Sequence, residues 1–173
     1  MKYLIVDTET TGLSKLDWVL EIAVIDSDGN VLMDTYVKPE VVTTWPDAQK
    51  IHGITPDFVY SGNFPTLRSL KADLLNIFSG QVVVIYNAEY DCQYLLSQVN
   101  VLYKSKVFCC MKAFANYYGE KTEFGNVKYQ RLAKAAEYVG HVWNKKAHSA
   151  LGDCFATLSV SKFLQEKKFF LFE

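Results

Sequence analysis

The sequence predicts an α/β protein, a mixed sheet with helices on its faces. Three observations carry that expectation. Residues 3–6, 19–25 and 31–37 are apolar runs of strand length near the start of the chain. The cluster Asp26-Ser27-Asp28-Gly29-Asn30 between the last two is a turn signal, which joins them as an antiparallel meander. Later segments carry their apolar residues at helical spacing, and residues 82–85 return as a buried strand between two of them.

Taken in order, Tyr3-Leu4-Ile5-Val6 is a continuous apolar run, as expected of a strand covered on both faces. Pro65 lies near a helix start, and Leu67, Leu70, Leu74, Leu75 and Phe78 recur at helical spacing until Gly80 ends the pattern. After the strand at 82–85 a helix is expected over 88–102, followed by helices over 111–118, 129–139 and 149 to about 166.

The chain of 173 residues fits one domain of ordinary size, and with 50% hydrophobic and 21% charged residues it is expected to bury a core. A net charge of −1 argues against a protein that coats duplex DNA through a broad basic face. It leaves room for an enzyme that grips one strand end. The opening apolar run is too short for a secretory leader, and no run approaches the ~20 apolar residues of a membrane helix. The four cysteines include no Cys-x-x-Cys pair, so free thiols and a reducing, cytoplasmic setting are expected rather than zinc.

The chemistry lies in four acids and a histidine. Asp7 and Glu9 follow the first apolar run and, two apart on an extended chain, point the same way at the carboxyl end of a buried strand. Open α/β sheets place ligand sites there. Asp91 stands one turn into the helix after 82–85, with Asn87 as its candidate cap. His148 and Asp153 are five apart, a rotation of ~140° on a helix, so His148 belongs to the loop before a helix that Ser149 caps. Each has a bland reading alone: a polar strand end, an acid offsetting a helix dipole, an exposed loop histidine. Together they crowd carboxylates at sheet and helix ends, a cost that a divalent cation removes. All-oxygen ligation favours magnesium or manganese over zinc.

These segments resemble a known family. Asp7-Thr8-Glu9-Thr10-Thr11-Gly12-Leu13 resembles the first motif of the DEDD exonucleases, Asn87-Ala88-Glu89-Tyr90-Asp91 the second and His148-Ser149-Ala150-Leu151-Gly152-Asp153 the third. Ile51-His52-Gly53-Ile54-Thr55 resembles a family element between the first two, and the likeness runs from residue 3 to about 164. His148 stands five before the last aspartate, and Ser149 occupies the position where another branch has tyrosine, so the chain resembles the histidine branch. It is similar to the proofreading epsilon subunits of bacterial replicases and to stand-alone DNA exonucleases. One departure is Tyr86, where many relatives have histidine, a supporting position rather than a catalytic one.

The resemblance implies a ribonuclease-H-like fold, with a central mixed five-stranded sheet flanked by helices, as a single exonuclease domain over 1–173. It implies 3′-to-5′ hydrolysis of single-stranded DNA or frayed 3′ ends to nucleoside 5′-monophosphates. It also implies two Mg2+ ions, with Mn2+ able to substitute, on Asp7, Glu9, Asp91 and Asp153, and His148 as the base for the attacking water. Thr8, Thr10, Gly12, Leu13, His52 and Asn87 would meet the terminal nucleotide, with Leu13 wedged against its base. Two alternatives stay open: an exonuclease for short or 3′-end RNA, and a non-catalytic nucleic-acid-binding module. The ending Lys168-Phe169-Phe170-Leu171-Phe172-Glu173 either packs on the domain's own surface or docks on a partner such as a sliding clamp or polymerase.

Overall fold

The computed structural model describes residues 2–144 and 147–169. Its sheet has five strands: β1 (Leu4–Thr10), β2 (Val19–Asp26), β3 (Val31–Tyr36), β4 (Val82–Ile85) and β5 (Lys106–Cys109). Their order is β3-β2-β1-β4-β5, with β1 in the middle. β1–β2 and β2–β3 are antiparallel, whereas β1–β4 and β4–β5 are parallel. Among the described residues there are seven helices, numbered in chain order: α1 (Pro46–His52), α2 (Pro56–Ser61), α3 (Lys71–Phe78), α4 (Ala88–Ser97), α5 (Cys110–Tyr118), α6 (Leu132–Tyr138) and α7 (Ala150–Glu166).

Strand alternation divides the core into two layers. Ile5, Ala23, Ile25 and Val84 face a cluster with Phe114 of α5, Ala135 of α6 and Cys154, Leu158 and Leu164 of α7. Leu4, Val6, Ile22, Val24, Val83 and Ile85 face the other layer, with Leu74 and Phe78 of α3 and Tyr94 and Leu95 of α4. α7 packs across β1 and β2 with ten of its residues buried, which is why its sequence is apolar almost all round. A smaller cluster of Leu20, Trp45, Ala48, Ile54 and Val59 seats α1 and α2, and Trp45 Nε1–H donates to the Ile54 carbonyl at 2.8 Å.

The mixed five-stranded sheet and the meander agree with the expectation from sequence; several boundaries do not. β1 continues to Thr10, so Asp7 and Glu9 lie inside the strand rather than past it. Pairing with β2 carries on through them, Asp7 opposite Ala23 and Glu9 opposite Glu21. The helix expected from about 65 begins at Lys71, because Thr66 to Leu70 form a turn in which the Thr66 hydroxyl accepts from Ser69 N–H. The helix expected to 102 ends at Ser97. Val99, Val101 and Leu102 still bury, but from an irregular segment with Asn100 at φ 53°. α6 begins at Leu132 rather than 129, since Arg131 is extended. His141 is partly buried: its Nδ1 lies 2.8 Å from Ser159 Oγ on α7 and its ring meets Trp143 edge-on. α1, α2 and β5 were not foreseen individually, being seven, six and four residues long, too short for a periodic pattern.

Candidate active site

The site forms where three elements end together. Because β1 is central, Asp7 and Glu9 project from the carboxyl half of the middle strand, on the face that α7 covers. The parallel neighbour β4 delivers the chain into α4, whose first turn carries Asp91. α7 carries Asp153 in its own first turn.

Asp91 is buried, and its Oδ1 accepts both the Thr8 N–H (3.1 Å) and the Thr8 hydroxyl (2.7 Å). Burial raises its carboxyl to about 7 against the opposing pull of those two bonds, and the Asp153 charge adds to the rise. Asp7 is held well above the usual carboxylate range by burial and then by the charges of Asp91, Asp153, Glu9 and Glu21. Burial also raises Asp153, whose Oδ1 accepts the His148 N–H at 3.2 Å. His148 sits on the turn before α7 in the left-handed region, φ 59°, and is exposed. That backbone turn brings its ring within reach of two acids: ligand atoms of Glu9, His148 and Asp153 all lie within 4.8 Å of one another. Ser149 Oγ accepts from Gly152 N–H, so the cap expected at this helix is present.

The proposed nucleotide contacts divide. Leu13 is 82% exposed, which removes core packing as its explanation. Its loop is anchored from beneath: the Gly12 carbonyl accepts from the Thr10, Tyr90 and Tyr94 hydroxyls, and Tyr94 also donates to Ser14. Thr10 and Tyr90 are in direct hydroxyl contact. A Cβ at Gly12 would lie 2.6 Å from the Asp17 carboxylate, which Thr11 and Ser14 hold in place and which would have to shift. His52 is buried. Its Nδ1 accepts from Ile54 N–H, which places the ring proton on Nε2, 3.2 Å from the Thr10 carbonyl. In this arrangement His52 ties the end of α1 to β1.

Asn87 holds the N-cap position of α4, but its side chain makes no capping bond. Its backbone, at φ −111° and ψ 77°, lies outside the extended geometry from which a cap reaches forward. Tyr86 is buried in the core layer with Phe114 and Ala150, its hydroxyl donating to the Gln130 carbonyl at 2.8 Å. Sequence reasoning passed over Glu21, which is buried beside the cluster and lines a recess of about 240 Å³ with Tyr36, His52, Phe58 and His148. The signal was available: Glu21 is the one charge in the otherwise apolar run 19–25.

Carboxylates crowded at the carboxyl edge of an α/β sheet, with a histidine at their rim, define a hydrolase site of the nuclease kind. The profile of the RNase_T exonucleases matches residues 4–161, and the chain belongs to that family. It is 36% identical over 169 residues to an uncharacterised exonuclease, CP81, of Escherichia phage 186, covering 90% of this chain and 84% of that one. It is 27% identical over 161 residues to the DNA polymerase III epsilon subunit of Rickettsia felis, covering 88% and 69%. Among solved structures, exonuclease X in complex with 5′-overhanging duplex DNA superposes with a TM-score of 0.71 at 23% identity, covering 98% of this chain and 94% of that one. E. coli exonuclease I with a dA16 oligonucleotide superposes with a TM-score of 0.74 at 21% identity, and the chain spans only 41% of its length. At such identities these two likenesses speak for the fold. The protein is therefore an exonuclease by family, on a ribonuclease-H-like fold.

Proposed function

We propose that the chain acts as one exonuclease domain that hydrolyses single-stranded DNA or frayed 3′ ends from the 3′ terminus, releasing nucleoside 5′-monophosphates. The observation that supports this reading is the grouping of Glu9, His148 and Asp153, whose ligand atoms lie within 4.8 Å of one another, beside Asp7 and Asp91, whose carboxyls are raised first by burial and then by neighbouring acids. A divalent cation relieves that repulsion, and an oxygen-rich donor set suits Mg2+ or Mn2+. Asp7, Glu9, Asp91 and Asp153 would hold two such ions, which when bound stabilise the attacking and leaving oxygens of an in-line displacement. His148, beside Glu9 and Asp153, takes the proton of the attacking water as it bonds to phosphorus and the bond to the 3′ oxygen breaks. Leu13, exposed on its anchored loop, packs on the terminal base, with Thr8, Thr10 and Gly12 shaping the backbone around it.

DNA is the favoured substrate because the DNA polymerase III epsilon relative and the DNA-bound structural neighbours are DNA proteins. A strand labelled at its 5′ end and incubated with Mg2+ should give a descending ladder, faster for DNA than for RNA, and EDTA should stop it. Release of the labelled 5′ mononucleotide as first product would refute the direction. Full activity in EDTA would refute the metal, and faster RNA cleavage would replace the substrate.

A further inference from the structure

Glu21 is an acid that neither the metal set nor the substrate contacts use. It stands on β2 directly opposite Glu9, is 5% exposed, and its Oε2 accepts the N–H of Ala150 at 3.3 Å. Ala150 is the first residue of α7, and the first turn of a helix leaves N–H groups with no partner inside the helix. Three acceptors converge there. Ser149 Oγ takes the Gly152 N–H, Asp153 Oδ1 takes the His148 N–H, and Glu21 Oε2 takes the Ala150 N–H. The first two bonds are local to the turn. The third ties this turn to the sheet, across 129 positions of sequence.

The location gives that tie its consequence. Two residues before Ala150 is His148, and three residues after it is Asp153. Glu9, whose ligand atoms lie within 4.8 Å of both, sits on β1 in register with Glu21. A carboxylate that joins β2 to the start of α7 is thus placed to hold the acid of the strand against the acid of α7 and the base on the turn before it. The positive end of the helix dipole favours a carboxylate in this place.

We infer that Glu21 is a positioning residue: through Ala150 N–H it fixes the His148–Asp153 turn against Glu9 for the hydrolysis proposed above. Because it works by accepting a hydrogen bond, an amide oxygen can take over the role and an apolar side chain of similar size cannot. The inference rests on that functional reading for its kinetic arm, and a second arm is independent of activity.

The test compares Glu21→Gln and Glu21→Met with the unaltered chain on a 5′-labelled DNA single strand in Mg2+. Displacement of a catalytic group by about 1 Å costs on the order of 10²-fold in rate. Glu21→Met should thus lower kcat by ~10- to 100-fold with KM within about threefold, and Glu21→Gln should recover most of that loss. In the same variants, amide hydrogen exchange of the 147–153 segment should rise in Glu21→Met and stay near the parent level in Glu21→Gln. If Glu21→Gln falls as far as Glu21→Met in kcat, the charge itself is required and the positioning role is overturned. Unchanged exchange and unchanged kcat in Glu21→Met overturn it equally. Should the unaltered chain show no nuclease activity, the functional reading fails, and the exchange arm alone decides whether Glu21 holds the turn. Should Glu21→Met fail to fold, exchange in Glu21→Gln decides: a faster 147–153 segment overturns the inference and a protected one upholds it.

Discussion

Asp91 receives two hydrogen bonds from Thr8 on a single carboxylate oxygen, and that pair fixes the acid's orientation and offsets part of the penalty of burying it. Asp7 has four acids, Asp91, Asp153, Glu9 and Glu21, as charged neighbours. Its replacement therefore separates two effects. Asp7→Asn should abolish turnover, and in EDTA it should melt at a higher temperature than the parent because one member of the repelling set is gone. A variant that keeps more than about a tenth of the parental rate, a loss below the range for a positioned catalytic group, would remove Asp7 from the reacting centre. His148 is exposed, so its loss disturbs little else. His148→Ala should lower kcat by ~10²–10⁴-fold while Mg2+ still raises the melting temperature as it does in the parent. Loss of that metal-dependent rise would make His148 a ligand instead.

At the scale of elements, the turn before α7 depends on its caps. Ser149→Ala removes the acceptor for Gly152 N–H and should cost about 1 kcal/mol, read as a fall in the denaturant midpoint with unchanged slope. No fall would mean that solvent replaces the bond without loss. The elements themselves were unequally legible. The strand at 82–85, bounded by Gly80 and Asn87, could be read directly, as could the first two apolar runs. β5 could not, because Lys106-Val107-Phe108-Cys109 is short and its strand character comes from pairing with β4. α4 looked longer than it is, because apolar residues buried from a loop mimic a helical stripe. At the carboxyl terminus Phe169 packs edge-on against Tyr117, at 5.4 Å between ring centroids. The sliding-clamp reading of the tail turns on residues 170–173, which lie outside the described residues.

For the molecule as a whole, the acids make stability depend on pH and on metal together. Burial raises the Asp91 carboxyl from 3.8 to about 7, and Asp7 rises as well. Between those two values the unfolded chain has released the proton that the folded chain still binds, so stability falls as pH rises. In EDTA the melting temperature should therefore decline from pH ~4 to pH ~7, after allowance for the remaining carboxylates. Mg2+ should restore it, and by more at pH 7 than at pH 5, because a cation competes with protons for the same oxygens. A metal-induced rise that is no greater at pH 7 would mean that these carboxyls are not the metal's ligands. No helix among the described residues is long and apolar enough to cross a membrane.

The sequence by itself determined the buried strand that leads into Asp7 and Glu9, the helix start that carries Asp91, the loop position of His148 and the Ser149 cap. Each of these follows from the residue type and its neighbours within one turn or one strand, where local sterics and hydrogen bonding decide. What brings Asp7, Asp91 and Asp153 together is tertiary: β1 takes the centre of the sheet, β4 runs parallel beside it, and α7 crosses β1 and β2. The same holds for the roles of two residues. His52 is turned to bridge α1 and the Thr10 carbonyl, and Glu21 stands opposite Glu9 because β2 pairs with β1 in that register. Local sequence cannot express either contact, because register and layer packing are set by which apolar faces bury against each other across the whole chain.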